Sequence, residues 1–149
     1  MSKNKQETGT TAGQASEIGI EQARDDLAAQ PFAVLLEARL VAIRKGHAEL
    51  AVPIGEKVRQ HMGIAHGGLI AFLADAAVTF AAGTVGGETV RTVDLTTYYL
   101  RPARGRELIA RADVIHSGSR LVVARCDLFD RQTQGEIRCA AAQGTVAVA

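Results

Sequence analysis

Gln60-His61-Met62-Gly63-Ile64-Ala65-His66-Gly67-Gly68-Leu69-Ile70-Ala71-Phe72-Leu73-Ala74-Asp75-Ala76-Ala77-Val78-Thr79-Phe80 is an apolar run with a Gly-Gly pair near its start and one carboxylate in its middle. Leu73, Ala74, Ala76, Ala77 and Val78 surround Asp75. A helix drawn through the run is apolar on every side, and such a helix belongs in a core. An ionised carboxylate in that setting costs several kcal/mol unless it is paired. Asp75 is therefore either a hydrogen-bonded structural group or a reactive one, held in a cleft with a raised pKa.

The glycines favour the reactive reading. Gly67 and Gly68 stand where the helix should begin, and a helix start carries unpaired N–H groups and a positive dipole end. Without a Cβ, those N–H groups are open to a substrate oxygen. Gly67 and Asp75 are eight residues apart, or about 12 Å along one helix axis. One chain could hardly bring both to the same atom, so the expected site uses a second copy whose helix faces this one.

Outward from the helix, the chain reads mostly as strand. Met1 to Ser16 is polar and is expected to be a disordered tail, with one domain over residues 17–149. Glu17 to Gln30 reads as a short helix stopped by Pro31. Phe32 to Lys45 and His47 to Ile54 read as strands with Gly46 between them, and Gly55 to Ala65 as a loop. The central helix is expected from His66 to Ala82, ended by Gly83 and Gly86-Gly87. Strands are then expected over Thr89–Leu100, Glu107–His116, Arg120–Phe129 and Glu136–Val148. Short connections imply antiparallel pairing. The expected class is α+β, a curved antiparallel sheet wrapped around one long helix.

Bulk composition excludes several functions. The 149 residues are 47% hydrophobic with net charge +1, so no basic excess exists to hold nucleic acid or an acidic membrane. The stretch from Leu69 to Gly83 is broken by Asp75 and reads as too short to span a bilayer. The polar first residues lack the hydrophobic stretch of a signal peptide, and a cytoplasmic location is expected. Cys126 and Cys139 lie in strand-like runs and read as reduced thiols. His47, His61, His66 and His116 lack zinc-type spacing, and no nucleotide loop occurs, so neither metal nor cofactor is expected. Ser117 and Ser119 do not sit in a nucleophile elbow.

Other side chains carry two readings each. His66 is a helix cap, or it orients the loop or bonds a substrate oxygen. Gln60 is a solvated amide or one aimed at a carbonyl or an attacking water. Thr79, one turn after Asp75, bonds the preceding turn or shares the reactive face. Arg101, Arg104, Arg106, Arg120 and Arg125 read as solvated charges, some able to hold phosphate.

His66-Gly67-Gly68, six residues and then Ala74-Asp75 resembles the helix motif of hotdog-fold thioesterases, the group of the phenylacetate-degradation and 4-hydroxybenzoyl-CoA enzymes. Thr92 to Leu95 through Tyr98 to Ala103 is similar to the strand after that helix, and Gly135 to Thr145 to the last strand. The resemblance covers roughly residues 30–149 and implies an acyl-CoA thioesterase with the hotdog fold. It implies Asp75 as general base or nucleophile and the Gly67 amide as the group that polarises the thioester carbonyl. It places Gln60 near the thioester and gives Thr79 and Thr92 the hydroxyl roles of two different branches. Gly68, Arg101, and Ser117, Gly118 and Arg120 of one turn become candidates for holding substrate. It implies a dimer or tetramer with the site between subunits. A non-catalytic acyl-CoA-binding module and an acyl-thioester dehydratase or hydratase are the competing readings. Asp75 weighs against the module, and the absence of a catalytic His-acid motif weighs against the dehydratase.

Overall fold

The computed structural model describes residues 19–149, and the tail expected over Met1–Ser16 lies outside the described residues. Two short helices come first, α1 (Ile20–Ala28) and α2 (Pro31–Leu35). Strands β1 (Arg39–Arg44) and β2 (His47–Pro53) lead to the long helix α3 (Gly67–Gly86). Strands β3 (Val90–Tyr99), β4 (Glu107–Ser117), β5 (Leu121–Gln132) and β6 (Gly135–Val148) follow. All six strands form one antiparallel sheet in the order β1-β2-β4-β5-β6-β3.

Alternation decides which side of the sheet holds the helix. On β5, Val122, Ala124, Cys126 and Leu128 are buried while the residues between them are not. The same period of two puts Leu50 and Val52 of β2, Leu108 of β4 and Val146 of β6 in the core. Leu73 and Val78 of α3 complete it from above, both fully buried. Cys126 and Cys139 lie in this packing as free, buried thiols. Burial pushes their pKa values up to about 12 and about 11, which keeps both protonated at neutral pH.

The structure corrects the sequence reading in five places. Phe32 to Lys45 is not one strand, because Pro31 occupies the first turn of α2 and the strand begins only at Arg39. Helix α3 runs to Gly86, four residues past the expected end at Ala82. It is not buried all round: Gly67, Ala71, Phe72, Asp75, Ala76, Thr79 and Phe80 form a half-exposed stripe that its own sheet leaves uncovered. At 20 residues α3 also has the length and composition to cross a membrane, but here most of it lies against the sheet. Strands β3 and β4 are consecutive yet unpaired, since β5 and β6 lie between them. The connection from Leu100 to Arg106 crosses about 14 Å of sheet, which places β3 on an edge.

The outer face of the sheet carries a chain of ion pairs. Arg111 grips Glu136 with two bonds of 2.7 and 3.0 Å, and its guanidinium also lies 3.3 Å from Glu49. Arg131 bridges Glu136 at 3.0 Å and Glu107 at 2.7 Å, and Arg39 closes on Glu107. The hydrogen bond from Arg111 is the main reason that the Glu136 carboxyl titrates near about 2 instead of its ordinary 4.5. A lowered folded pKa means stability that is fully present above pH 4.5 and lost as pH falls toward 2. The gap is worth at most about 3.5 kcal/mol, and partial solvent access at the 28% exposed side chain reduces this to on the order of 2 kcal/mol or less. Urea midpoints at pH 6 and pH 3 should therefore differ less in Glu136→Gln than in the parent. An unchanged difference would show that the network does not contribute this acid sensitivity.

Candidate active site

His66 begins the site by capping α3. Its Nδ1 accepts a hydrogen bond of 2.8 Å from the Gly68 N–H, and its carbonyl accepts those of Leu69 and Ile70. The Gly67 N–H is left without a protein acceptor among the described residues, at the positive end of a 20-residue helix. The cap reading of His66 is thus what the structure shows. It also explains Gly68, where a Cβ would sit 3.0 Å from the same Nδ1.

Gly67 is glycine for a different reason. A Cβ there would meet the Tyr99 ring at 3.3 Å, and the Tyr99 hydroxyl donates to the Gly67 carbonyl at 3.3 Å. Tyr99 was not singled out in the sequence, and nothing local in it signals the contact, because 32 residues separate the two. Gln60, Gly67, Tyr99 and Arg101 line one cavity of about 390 Å³, whose other walls are mostly apolar.

Two turns along α3 a second cluster forms. The Thr92 hydroxyl donates to Asp75 Oδ1 at 2.7 Å. The Thr79 hydroxyl donates to the Asp75 carbonyl at 2.7 Å, its structural reading, and also lies 3.3 Å from Thr92 Oγ1. A register shift between Thr92 and Asp94 marks a bulge in β3 beside this cluster. Such irregularities re-aim side chains. Asp75 is half-exposed rather than buried, and Oδ2 has no donor among the described residues. A carboxylate with one oxygen fixed and the other open can take a proton from water or attack an electrophile.

A buried acid holds the wall of the first cavity. Asp130, 1% exposed, accepts from the N–H groups of Arg104 and Gly105 at 3.0 and 2.9 Å and from the Gln132 amide at 2.8 Å. Gly105 packs so tightly on the Arg131 backbone that no side chain fits. Arg59 ties the Gln60 loop to the same turn by donating to the carbonyls of Gly63, Ile54 and Gly105. Gln60 shares the lining of that cavity with Pro102 and Ala103. Sequence reading missed Asp130 and Arg59, because the contacts that tie them to the 104–105 turn span 25 to 46 residues.

The remaining candidates separate. Arg101 stays beside the first cavity with an exposed side chain. Ser117, Gly118 and Arg120 lie on the turn between β4 and β5, where Arg120 bonds Val148 near the C-terminal end of α3. Ser117 is opposite Val122, which is opposite Val146 and then Thr92, so three strand spacings, about 14 Å, part it from Thr92. The α3 axis adds about 28 Å between the two ends of the helix, so this turn is not part of the Gly67 cavity in one chain. No group of three or more His, Cys, Asp or Glu side chains with metal-site geometry occurs among the described residues.

The profile of the thioesterase superfamily matches residues 62–137, half of the chain, and takes in Gly67, Asp75, Thr79, Thr92, Tyr99 and Arg101, with Gln60 just before its start. The chain belongs to the thioesterase superfamily. Its sheet around one long helix is the hotdog architecture of that superfamily's solved members. A thioesterase family protein of Silicibacter pomeroyi superimposes with TM-score 0.82 at 30% identity, covering 87% of this chain and 97% of that one. The phenylacetic acid degradation protein PaaI of Thermus thermophilus gives 0.73 at 25% identity, over 80% and 100% of the two chains. A Halobacterium salinarum protein to which esterase activity is ascribed is 42% identical over 86 residues. That match takes in 53% of this chain and 56% of the archaeal protein, so the aligned part spans little more than half of each.

Proposed function

We propose that the protein is an acyl-CoA thioesterase whose site is completed between two copies of the chain. One observation carries this reading. The groups suited to polarise a carbonyl, Gly67 and Gln60, share one cavity, while Asp75 and Thr79 lie two turns or more along the same helix and cluster there with Thr92 of β3. A two-fold related copy would bring the Gly67 end of one α3 against the Asp75 region of the other. The half-exposed stripe of α3 and the edge strand β3, with Val93, Tyr98 and Tyr99 exposed, are the surfaces available for that pairing.

In this arrangement the Gly67 N–H bonds the thioester oxygen, and Asp75 Oδ2 takes a proton from water held by Thr92 or Thr79. The water oxygen bonds to the carbonyl carbon. The resulting oxyanion is held by the helix-end amide, a contact commonly worth about 3 kcal/mol in such sites. The C–S bond then breaks, the sulfur leaves as thiolate and is protonated, and the acid is released. Direct attack by Oδ2 reaches the same products through a mixed anhydride that water opens. The histidine cap, the Asp130 clamp and Tyr99 position these groups without reacting. Arg101, which lines the Gly67 cavity, would meet a phosphate of the CoA arm.

Thiol release from a panel of aryl and straight-chain acyl-CoA thioesters, with chelator present, tests the proposal. Hydrolysis of at least one CoA thioester is expected, unaffected by chelator. Tight binding of several thioesters with no cleavage would replace the enzyme by an acyl-CoA-binding module.

A further inference from the structure

Two cavities flank α3, and their charges differ in sign. The one beside Gly67 shares Leu100 and Arg101 with a second hollow of about 570 Å³, which Arg138, paired with Asp127 at 3.4 Å, also lines. The only acid in that hollow, Glu136, is already held by Arg111 and Arg131. The other cavity, about 560 Å³, starts at Thr79 beside the Asp75 cluster and runs between the C-terminal half of α3 and α1. Its polar lining is Gln22, Asp26, Gln30, Glu88 and Thr89, with no Arg or Lys among the described residues. One oxygen of Asp26 accepts from Gln22 at 2.9 Å, and the other is open, as is the Glu88 carboxylate. Neither acid has a cationic partner within the described residues.

A CoA thioester is itself polar end to end, with several phosphate charges on the carrier and the acyl group at the other end. Phosphates are attracted to the side of Arg101, which has no acidic partner among the described residues, and repelled from the Asp26–Glu88 side. The opposite charges therefore fix which way the substrate lies, and they leave the α1 cavity to the acyl group. We propose that this cavity is the acyl subsite, and that Asp26 and Glu88 make it reject acyl groups ending in a carboxylate. Discrimination of this kind works by placing an unpaired like charge against the wrong substrate. The inference rests on the acyl-CoA thioesterase reading and adds the substrate class that the site refuses.

The test compares pairs of equal length that differ in one terminal charge: hexanoyl-CoA against adipoyl-CoA, and 4-methylbenzoyl-CoA against 4-carboxybenzoyl-CoA. The ratio of kcat/KM, neutral over anionic, is read for the parent and for Asp26→Asn/Glu88→Gln. Both residues are exposed, so the double variant should fold, and circular dichroism confirms it. The ratio is expected to favour the neutral member in the parent and to fall about tenfold in the double variant, the scale of one or two like-charge contacts near water. High salt should shrink the parent ratio and leave that of the variant nearly flat. Equal kcat/KM within each pair in the parent, or a ratio that the double variant does not change, overturns the proposal. No cleavage of any CoA thioester instead overturns the thioesterase reading on which it rests.

Discussion

Asp75→Asn is expected to lower kcat by about a hundredfold or more, the usual range for loss of a general base, while acyl-CoA still binds. Asparagine keeps the shape of the side chain, and its carbonyl oxygen can still accept the 2.7 Å bond from Thr92. What is lost is the open oxygen with its negative charge. Stability should change little, because the side chain is half-exposed and makes one side-chain hydrogen bond. Turnover from thiol release, binding from calorimetry and the melting temperature separate the outcomes. Near-parental turnover would make Asp75 a structural acceptor for Thr92 and end the mechanism given above.

How much of this was legible in the chain depends on distance in sequence. The helix and its cap are local: His66, Gly67 and Gly68 are consecutive, and the apolar run after them is interrupted only at Asp75 and Thr79 before Gly83. The strand alternation of β4 and β5 is local too, so the wrapped sheet could be anticipated. Helix α2 was not, because Phe32-Ala33-Val34-Leu35-Leu36 is apolar in both helical and strand periods. The place of β3 at the edge was also hidden, since a seven-residue link reads like a hairpin and here crosses two strands.

The premise about Asp75 was half right for a physical reason. The sequence around it is apolar on all sides, and composition alone cannot tell a helix buried by its own sheet from one that keeps a stripe for something else. The stripe from Gly67 to Phe80 is of the second kind. Likewise the glycine at 67 reads as an opening for substrate, yet it also gives room to the Tyr99 ring, which a Cβ would meet at 3.3 Å. Both explanations hold together, because the ring touches the Cα side while the N–H keeps no protein partner. Asp130 shows the opposite limit: a buried acid with three donors, invisible because Arg104 and Gly105 are 25 or more residues away.

Mixing two inactive chains is expected to restore activity. Gly67→Val puts a side chain into the Tyr99 ring and blocks the helix-end amide, and Asp75→Asn removes the base, so each variant alone should fall to about a hundredth of parental kcat/KM or lower. If every site takes Gly67 from one copy and Asp75 from the other, a hybrid dimer holds one site with both defects and one with neither. Random pairing makes half of the dimers hybrid, so co-refolded or co-expressed chains should recover about a quarter of parental activity. If each site draws both residues from a single chain, every site in every dimer carries a defect and recovery is nil. The two outcomes differ by more than an order of magnitude. Purification through different affinity tags on the two chains isolates the hybrid, whose activity should approach half of the parental value. A hybrid as inactive as its parents would confine the site to one chain. Gly67 and Asp75, about 12 Å apart on one axis, would then have to meet by a rearrangement of α3.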